Sequence, residues 1–154
     1  MTVQPDALPL RHVLTLPTMG AAVRTARETT EQVLAEWGVG PRHPGVDPVL
    51  LILSELVTNS VRHAAVLSPT VTVYYAAGPG TFAFGVHDRH PYRPALHGKA
   101  AGKAAGKAGG KAGGLAMVSE LTQGLSGTAV VREDPDGRGK CVWVTVPLRG
   151  VGAR

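Results

Sequence analysis

Hydrophobic and polar positions along the chain change period several times, and each change predicts an element. Leu10, His12, Val13, Leu14 and Leu16 partly alternate before Pro17, which predicts a first strand over 10–16. Thr18 is placed to cap a helix over about 19–37, whose Ala22, Val23, Ala26, Val33 and Leu34 share one face while Glu28 and Glu31 lie outside it. Residues 38–45, with Pro41 and Pro44, read as a loop. Asp47 as N-cap and Pro48 in the first turn open a second helix to about residue 65. Its run Val49-Leu50-Leu51-Ile52-Leu53, continuing through Leu56, Val57 and Val61, is apolar nearly all round and predicts burial. Residues 70–77 and 81–87 are rich in β-branched and aromatic side chains and flank Gly78-Pro79-Gly80, the pattern of a hairpin.

An irregular stretch over 88–96 follows, then a short helical pattern over 115–121. Two last strands, 128–132 and 141–148, are joined by the turn-rich Asp134-Pro135-Asp136-Gly137. Strands grouped in hairpins beside separate helices predict an α+β fold. It is read as a two-layer sandwich, a mixed but mainly antiparallel sheet with helices on one face.

The 154 residues suit one packed core, and 44% hydrophobic with 18% charged residues is a globular composition rather than a disordered one. The expected organisation is a tail over 1–9, a domain over 10–148 and a tail over 149–154. No apolar run approaches the roughly 20 residues of a bilayer span. The N-terminus lacks the basic and then apolar regions of a secretory leader. Cys141 is the only cysteine, which excludes an internal disulfide; together these features lead to the expectation of a cytoplasmic protein without membrane partners.

The formal charge of +5 is local, since it falls to +1 without Lys99, Lys103, Lys107 and Lys111. Those lysines belong to a repeat over 98–113, GKAA-GKAA-GKAG-GKAG. Each glycine costs a helix about 1 kcal/mol relative to alanine, so the repeat predicts a loop. Its lysines are compatible with a lid that attracts phosphates, with a salt-sensitive nucleic-acid tether, or with an expansion that a surface loop tolerates.

Chemistry enters with the second helix. Glu55, Asn59 and His63 are spaced i, i+4, i+8 and form a polar stripe on an otherwise apolar cylinder. A carboxylate among Leu and Val is costly unless it meets a cation or a partner. An amide oxygen can ligate Mg²⁺ and a carboxylate can take a proton from an attacking hydroxyl, so the stripe suits a triphosphate. The same spacing also fits a solvated helix edge or one that satisfies nearby loop backbone.

The run Glu55-Leu56-Val57-Thr58-Asn59-Ser60-Val61-Arg62-His63-Ala64 resembles the N box of the GHKL superfamily of ATPases and kinases, in particular the bacterial anti-sigma-factor serine kinases and their actinobacterial relatives. The resemblance implies a Bergerat-type ATP-binding fold, with Glu55 as general base, Asn59 as Mg²⁺ ligand and His63 near the phosphates. Val86-His87-Asp88, with Pro91 and Pro94, resembles the G1 segment and makes Asp88 the acceptor for the adenine amino group, although Asp88 read alone is a turn former after a strand.

Ala112-Gly113-Gly114-Leu115-Ala116-Met117-Val118 resembles the G2 box, which implies that Gly113, Gly114 and Leu115 meet phosphate at a helix N-terminus, with Lys111 as the nearby cation. Gly139-Lys140-Cys141-Val142-Trp143 resembles the closing strand, with Cys141 where relatives often carry an adenine-supporting Thr. Three departures stand out: no glycine follows Asp88, a thiol replaces a hydroxyl, and the lysine repeat takes the place of the lid.

The implied function is an ATP-binding regulator, a serine/threonine kinase that uses ATP and Mg²⁺. It would phosphorylate a small antagonist protein of the anti-anti-sigma type and hold a sigma factor, with a homodimer left open. Two alternatives remain: nucleotide-dependent partner switching without catalysis and, less favoured, nucleic-acid binding through the lysine repeat.

Overall fold

The computed structural model describes residues 4–91 and 113–153. Its elements are β1 (Leu10–Pro17), α1 (Ala21–Glu36), α2 (Val46–Ala64), β2 (Thr70–Gly78), β3 (Thr81–Asp88), α3 (Gly113–Gly124), β4 (Thr128–Glu133) and β5 (Lys140–Pro147). The five strands form one sheet in the order β1-β2-β3-β5-β4, and every neighbouring pair is antiparallel. The α+β architecture expected from the sequence is therefore present. Pro94 and the lysine repeat up to Ala112 lie outside the described residues.

Helix starts differ from the sequence reading. Thr18 caps nothing: the N-cap of α1 is Gly20, without a side-chain cap. The Thr18 N–H instead donates to the Pro69 carbonyl at 3.0 Å, tying the end of β1 to the start of β2. Helix α2 begins two residues early, with Gly45 as N-cap, so Asp47 sits inside the first turn, where its charge still complements the positive end of the helix dipole.

Period decides which side chains meet. Ala22, Ala26, Thr30, Val33 and Leu34 of α1 are buried, and they face a sheet surface built from Val71, Val73, Tyr75, Phe82, Phe84, Val86, Val142, Val144 and Val146. Helix α2 packs between α1 and α3 and buries nine residues, including Ile52, Leu53 and Val57. This explains why its sequence is apolar nearly all round. Thr30 Oγ1 joins the Tyr75 hydroxyl at 2.7 Å, which gives that deeply placed phenol a partner.

The opposite face of the sheet has its own order. Val13, Tyr74, Gly85, Trp143 and Val130 stand in one register row across all five strands. Tyr74 and Trp143 stack with ring centroids 6.1 Å apart, reaching across Gly85. A Cβ at Gly85 would lie 2.8 Å from the Trp143 ring and 2.7 Å from Cys141 Sγ. Gly85→Ala is expected to cost about 1–3 kcal/mol by overpacking, measured as a lower denaturation midpoint with altered Trp143 fluorescence. An unchanged midpoint would mean that the stack gives way freely.

Segments read as tails contain packed residues. Leu8, after a 3-10 turn at Pro5–Ala7, rests on Ala76 and Ala83 with Trp143 beside it. At the other end, Leu148 N–H donates to Gly80 O at 2.9 Å, Gly80 N–H to Val151 O at 2.9 Å, and Gly152 N–H to Trp37 O at 2.8 Å. No helix among the described residues is long and apolar enough to cross a membrane.

Candidate functional site

Helix α2 carries the stripe. Glu55 and Asn59 are half-buried and His63 is exposed, so the stripe rises from the packed helix toward solvent at its C-terminal end. Asn59 Nδ2 is buried and has no hydrogen-bond partner among the described residues. An unmatched buried donor is costly in a folded chain, and a bound acceptor would remove that cost.

The neighbouring face of the same helix reaches the sheet. Ser60 Oγ donates to Asp88 Oδ2 at 2.7 Å, joining α2 to the end of β3. Asp88 is only 2% exposed, and its Oδ1 also accepts from Lys140 Nζ at 2.6 Å and from the His90 amide at 3.0 Å. Lys140 comes from the first position of β5, directly opposite Asp88 in register. The two charges are buried together and compensate each other.

A second network holds this corner. Arg89 donates to Asp134 and, at 2.7 Å, to Asp136 Oδ2, while His87 Nε2 lies 3.0 Å from the Asp134 carboxylate. The Arg89 hydrogen bond holds the Asp136 carboxyl down at about 2. Together these contacts fasten the β4–β5 turn to the end of β3. Gly139 lies inside the clamp: a Cβ there would fall 2.3 Å from Asp134 Oδ2 and 2.8 Å from the Asp88 carbonyl. Only glycine lets the turn close this tightly and bring Lys140 to Asp88.

Of the residues singled out from sequence, Glu55 and Asn59 lie one turn apart on α2, and Ser60 of the same helix ties it to Asp88 at the end of β3. Gly113, Gly114 and Leu115 form the first turn of α3, which packs on α2. Lys111 lies outside the described residues.

Cys141 pairs in register with His87, and the structure does not bring it to Asp88. Side chains alternate along β5, so Lys140, Val142, Val144 and Val146 point to the helices while Cys141 points to the other face, opposite His87. Lys140 occupies the position facing Asp88. Sequence reasoning missed Lys140 and Ser60; the signal available for Lys140 was strand parity counted from the Val142, Val144, Val146 face.

Burial pushes the Cys141 thiol from 9.0 up to about 12 and the Tyr75 phenol from 10.0 up to about 12. Both groups keep their protons longer when folded than when unfolded. Their contribution to stability is present in full below pH 9 and is lost as pH rises toward 12. Denaturation midpoints are therefore expected to be flat on this account near pH 8 and to fall from about pH 9 upward. The native thiol is expected to resist alkylation until the chain unfolds.

No group of three His, Cys, Asp or Glu side chains is placed to hold a metal ion among the described residues. A cation at this corner would therefore share its ligands with a bound molecule, as Mg²⁺ does when it keeps one or two protein oxygens beside phosphates. The half-buried Glu55 and Asn59 supply such oxygens. A cleft of about 290 Å³ between α3 and β4, lined by Ser119, Thr122 and Gln123, contains none of these residues.

The family described as "Histidine kinase-like ATPase domain" matches residues 16–146. Among solved structures, the histidine kinase domain of the blue-light activated histidine kinase EL346 from Erythrobacter litoralis is 19% identical with a TM-score of 0.52; the match covers 86% of this chain and 62% of that one. Full-length ShkA in complex with AMPPNP is 20% identical with a TM-score of 0.56, covering 96% of this chain and 33% of that one. At these identities the likeness is one of fold, and the chain spans less than two thirds of either structure. No curated protein matches it in sequence.

Proposed function

Because the chain belongs to the family of histidine kinase-like ATPase domains, we propose that it binds ATP with Mg²⁺ and transfers the γ-phosphate to a serine or threonine of a small partner protein, as an anti-sigma type of regulator. The observation that carries the nucleotide reading is the buried Nδ2 of Asn59, without a partner among the described residues, set on one helix with the half-buried Glu55 and with the Ser60 that contacts Asp88. Family membership supports reading that line of polar groups as a nucleotide site rather than as a solvated helix edge.

Each group has a role that its chemistry allows. Asn59 supplies the oxygen a hard cation takes, and its free N–H group suits a phosphate oxygen. Glu55 accepts the proton of the attacking hydroxyl. Asp88 takes an N–H of the base at the buried end. When bound, Mg²⁺ neutralises charge on the phosphates. The first turn of α3 offers backbone amides at a helix N-terminus, where anions are favoured.

The partner class follows from the sequence resemblance: an antagonist protein of the anti-anti-sigma type as substrate and a sigma factor as the sequestered ligand. The test is incubation of the protein with γ-labelled ATP, with and without Mg²⁺, in the presence of candidate antagonist proteins. Mg²⁺-dependent label on a partner serine or threonine is the expected result. Nucleotide binding without transfer to any partner would instead make the protein a non-catalytic partner switch.

A further inference from the structure

We propose that the helix-free face of the sheet is a docking surface for an extended acidic segment of a partner protein, and that residues 4–8 are a strap holding its place. The proposal stands apart from the nucleotide reading and uses none of its residues.

Fixed charge on this face has one sign. Strand residues in phase with Tyr74 and Trp143 include Arg11 on β1 and Arg132 on β4, and no Asp or Glu is among them. Asp134, just past β4, is already taken by Arg89 and His87. Between the two arginines runs an apolar row in which Val13 is 56% and Val130 43% exposed, with the Tyr74–Trp143 stack at its centre. A cation near each rim and apolar side chains between them complement a segment with separated acids and an apolar residue between.

The strap shows how such a segment lies. Arg11 Nη2 donates to the Pro5 carbonyl at 3.3 Å and to the Asp6 carbonyl at 2.6 Å, while Arg132 Nη2 donates to Gln4 Oε1. Leu8 rests on Ala76 and Ala83, with Trp143 beside it. Residues 4–8 thus reach arginines of both rim strands, which stand four interstrand steps, about 19 Å, apart.

This occupant is a weak match. Every acceptor it gives the two guanidiniums is neutral, and neither arginine has an ion pair among the described residues. A carboxylate in the same place adds the opposite charge and can take a guanidinium through both of its oxygens. Only Pro5 and Leu8 of the strap are buried, so little apolar surface holds it down and local opening is cheap. A segment that brings carboxylates to Arg11 and Arg132 therefore displaces it.

The probe is a labelled peptide, Glu-Pro-Asp-Ala-Leu-Pro, which is residues 4–9 with Gln4→Glu. It is titrated onto the full chain carrying Leu8→Ser, whose strap has lost its anchor. Fluorescence polarisation is expected to show binding about tenfold tighter than that of the neutral peptide Asn-Pro-Asn-Ala-Leu-Pro, as two rim ion pairs together allow. The unaltered chain should bind the acidic peptide at least about tenfold more weakly, because its own strap competes. Adding Arg11→Ala and Arg132→Ala to the Leu8→Ser chain should erase the difference between the peptides. Equal binding of the two peptides to that chain, or no binding of either at millimolar concentration, overturns the proposal. So does a Leu8→Ser chain that dimerises in sedimentation and then excludes the peptide, since the face would join two copies. If Leu8→Ser does not fold, amide exchange in the unaltered chain decides. The acidic peptide is expected to speed exchange at the Leu8 N–H, now bonded to Pro5 O, and the neutral one is not; equal effects overturn the proposal.

Discussion

Glu55→Gln is expected to lower phosphoryl transfer by about 10²–10⁴-fold while the affinity for ATP changes by less than about threefold. Gln keeps the shape and an oxygen toward the site but cannot take a proton. Glu55 sits half-buried on a helix whose neighbours Ile52, Leu53, Leu56 and Val57 are packed in the core, so the backbone that carries it is fixed in place. Asn59→Ala should behave differently. It removes the amide whose buried Nδ2 has no partner among the described residues, so fold stability should hold or rise slightly, whereas Mg²⁺-dependent ATP binding should fall at least about tenfold. The pair of outcomes separates a site from a solvated helix edge, which predicts no change in either measurement.

Removing one member of the Asp88–Lys140 pair is expected to cost more stability than removing both. Asp88→Ala strands an ammonium whose side chain is 10% exposed and should cost about 3–5 kcal/mol. Lys140→Met strands a carboxylate that still accepts from Ser60 and the His90 amide, so its cost should be smaller. The double variant leaves no buried charge at the corner and should be more stable than Asp88→Ala alone. Chemical denaturation of the three variants forms a double-mutant cycle. Simple additivity would show that water already reaches the corner and screens the pair.

The elements were legible because their periods are strong. The nearly all-apolar run around Ile52 reads as a central helix, and the Pro79-Gly80 turn between two β-branched runs reads as a hairpin. Glu55 and Asn59 were legible for the opposite reason: polar residues on an apolar cylinder stand out. Asp88 needed the resemblance, since an Asp at a strand end is ordinary. Strand parity could put Lys140 on the helix-facing side of β5, but not beside Asp88, because 52 residues separate them and only the antiparallel register of β3 and β5 brings them together. The pairing of Cys141 with His87 was hidden by the same gap in knowledge: a shift of one residue in a strand exchanges its faces. Thr18 looked like a cap because it precedes a helix, but the first hydrogen bond its backbone makes is to Pro69, across the sheet edge.

β5, which follows the other four strands of this sheet in the chain, is not at its rim but between β3 and β4. While the chain is still on the ribosome, β3 has only one of its two neighbours and β4 has none from the sheet. Phe82, Phe84 and Val86 then lack the Val142, Val144 and Val146 row that completes their cover. The nascent chain is thus most adhesive just before β5 emerges, when open strand edges invite pairing with other chains. A fragment ending at Gly139 is expected to sediment with insoluble material, whereas the full chain stays in solution. Quality control of this protein is in that sense set by where its sheet closes.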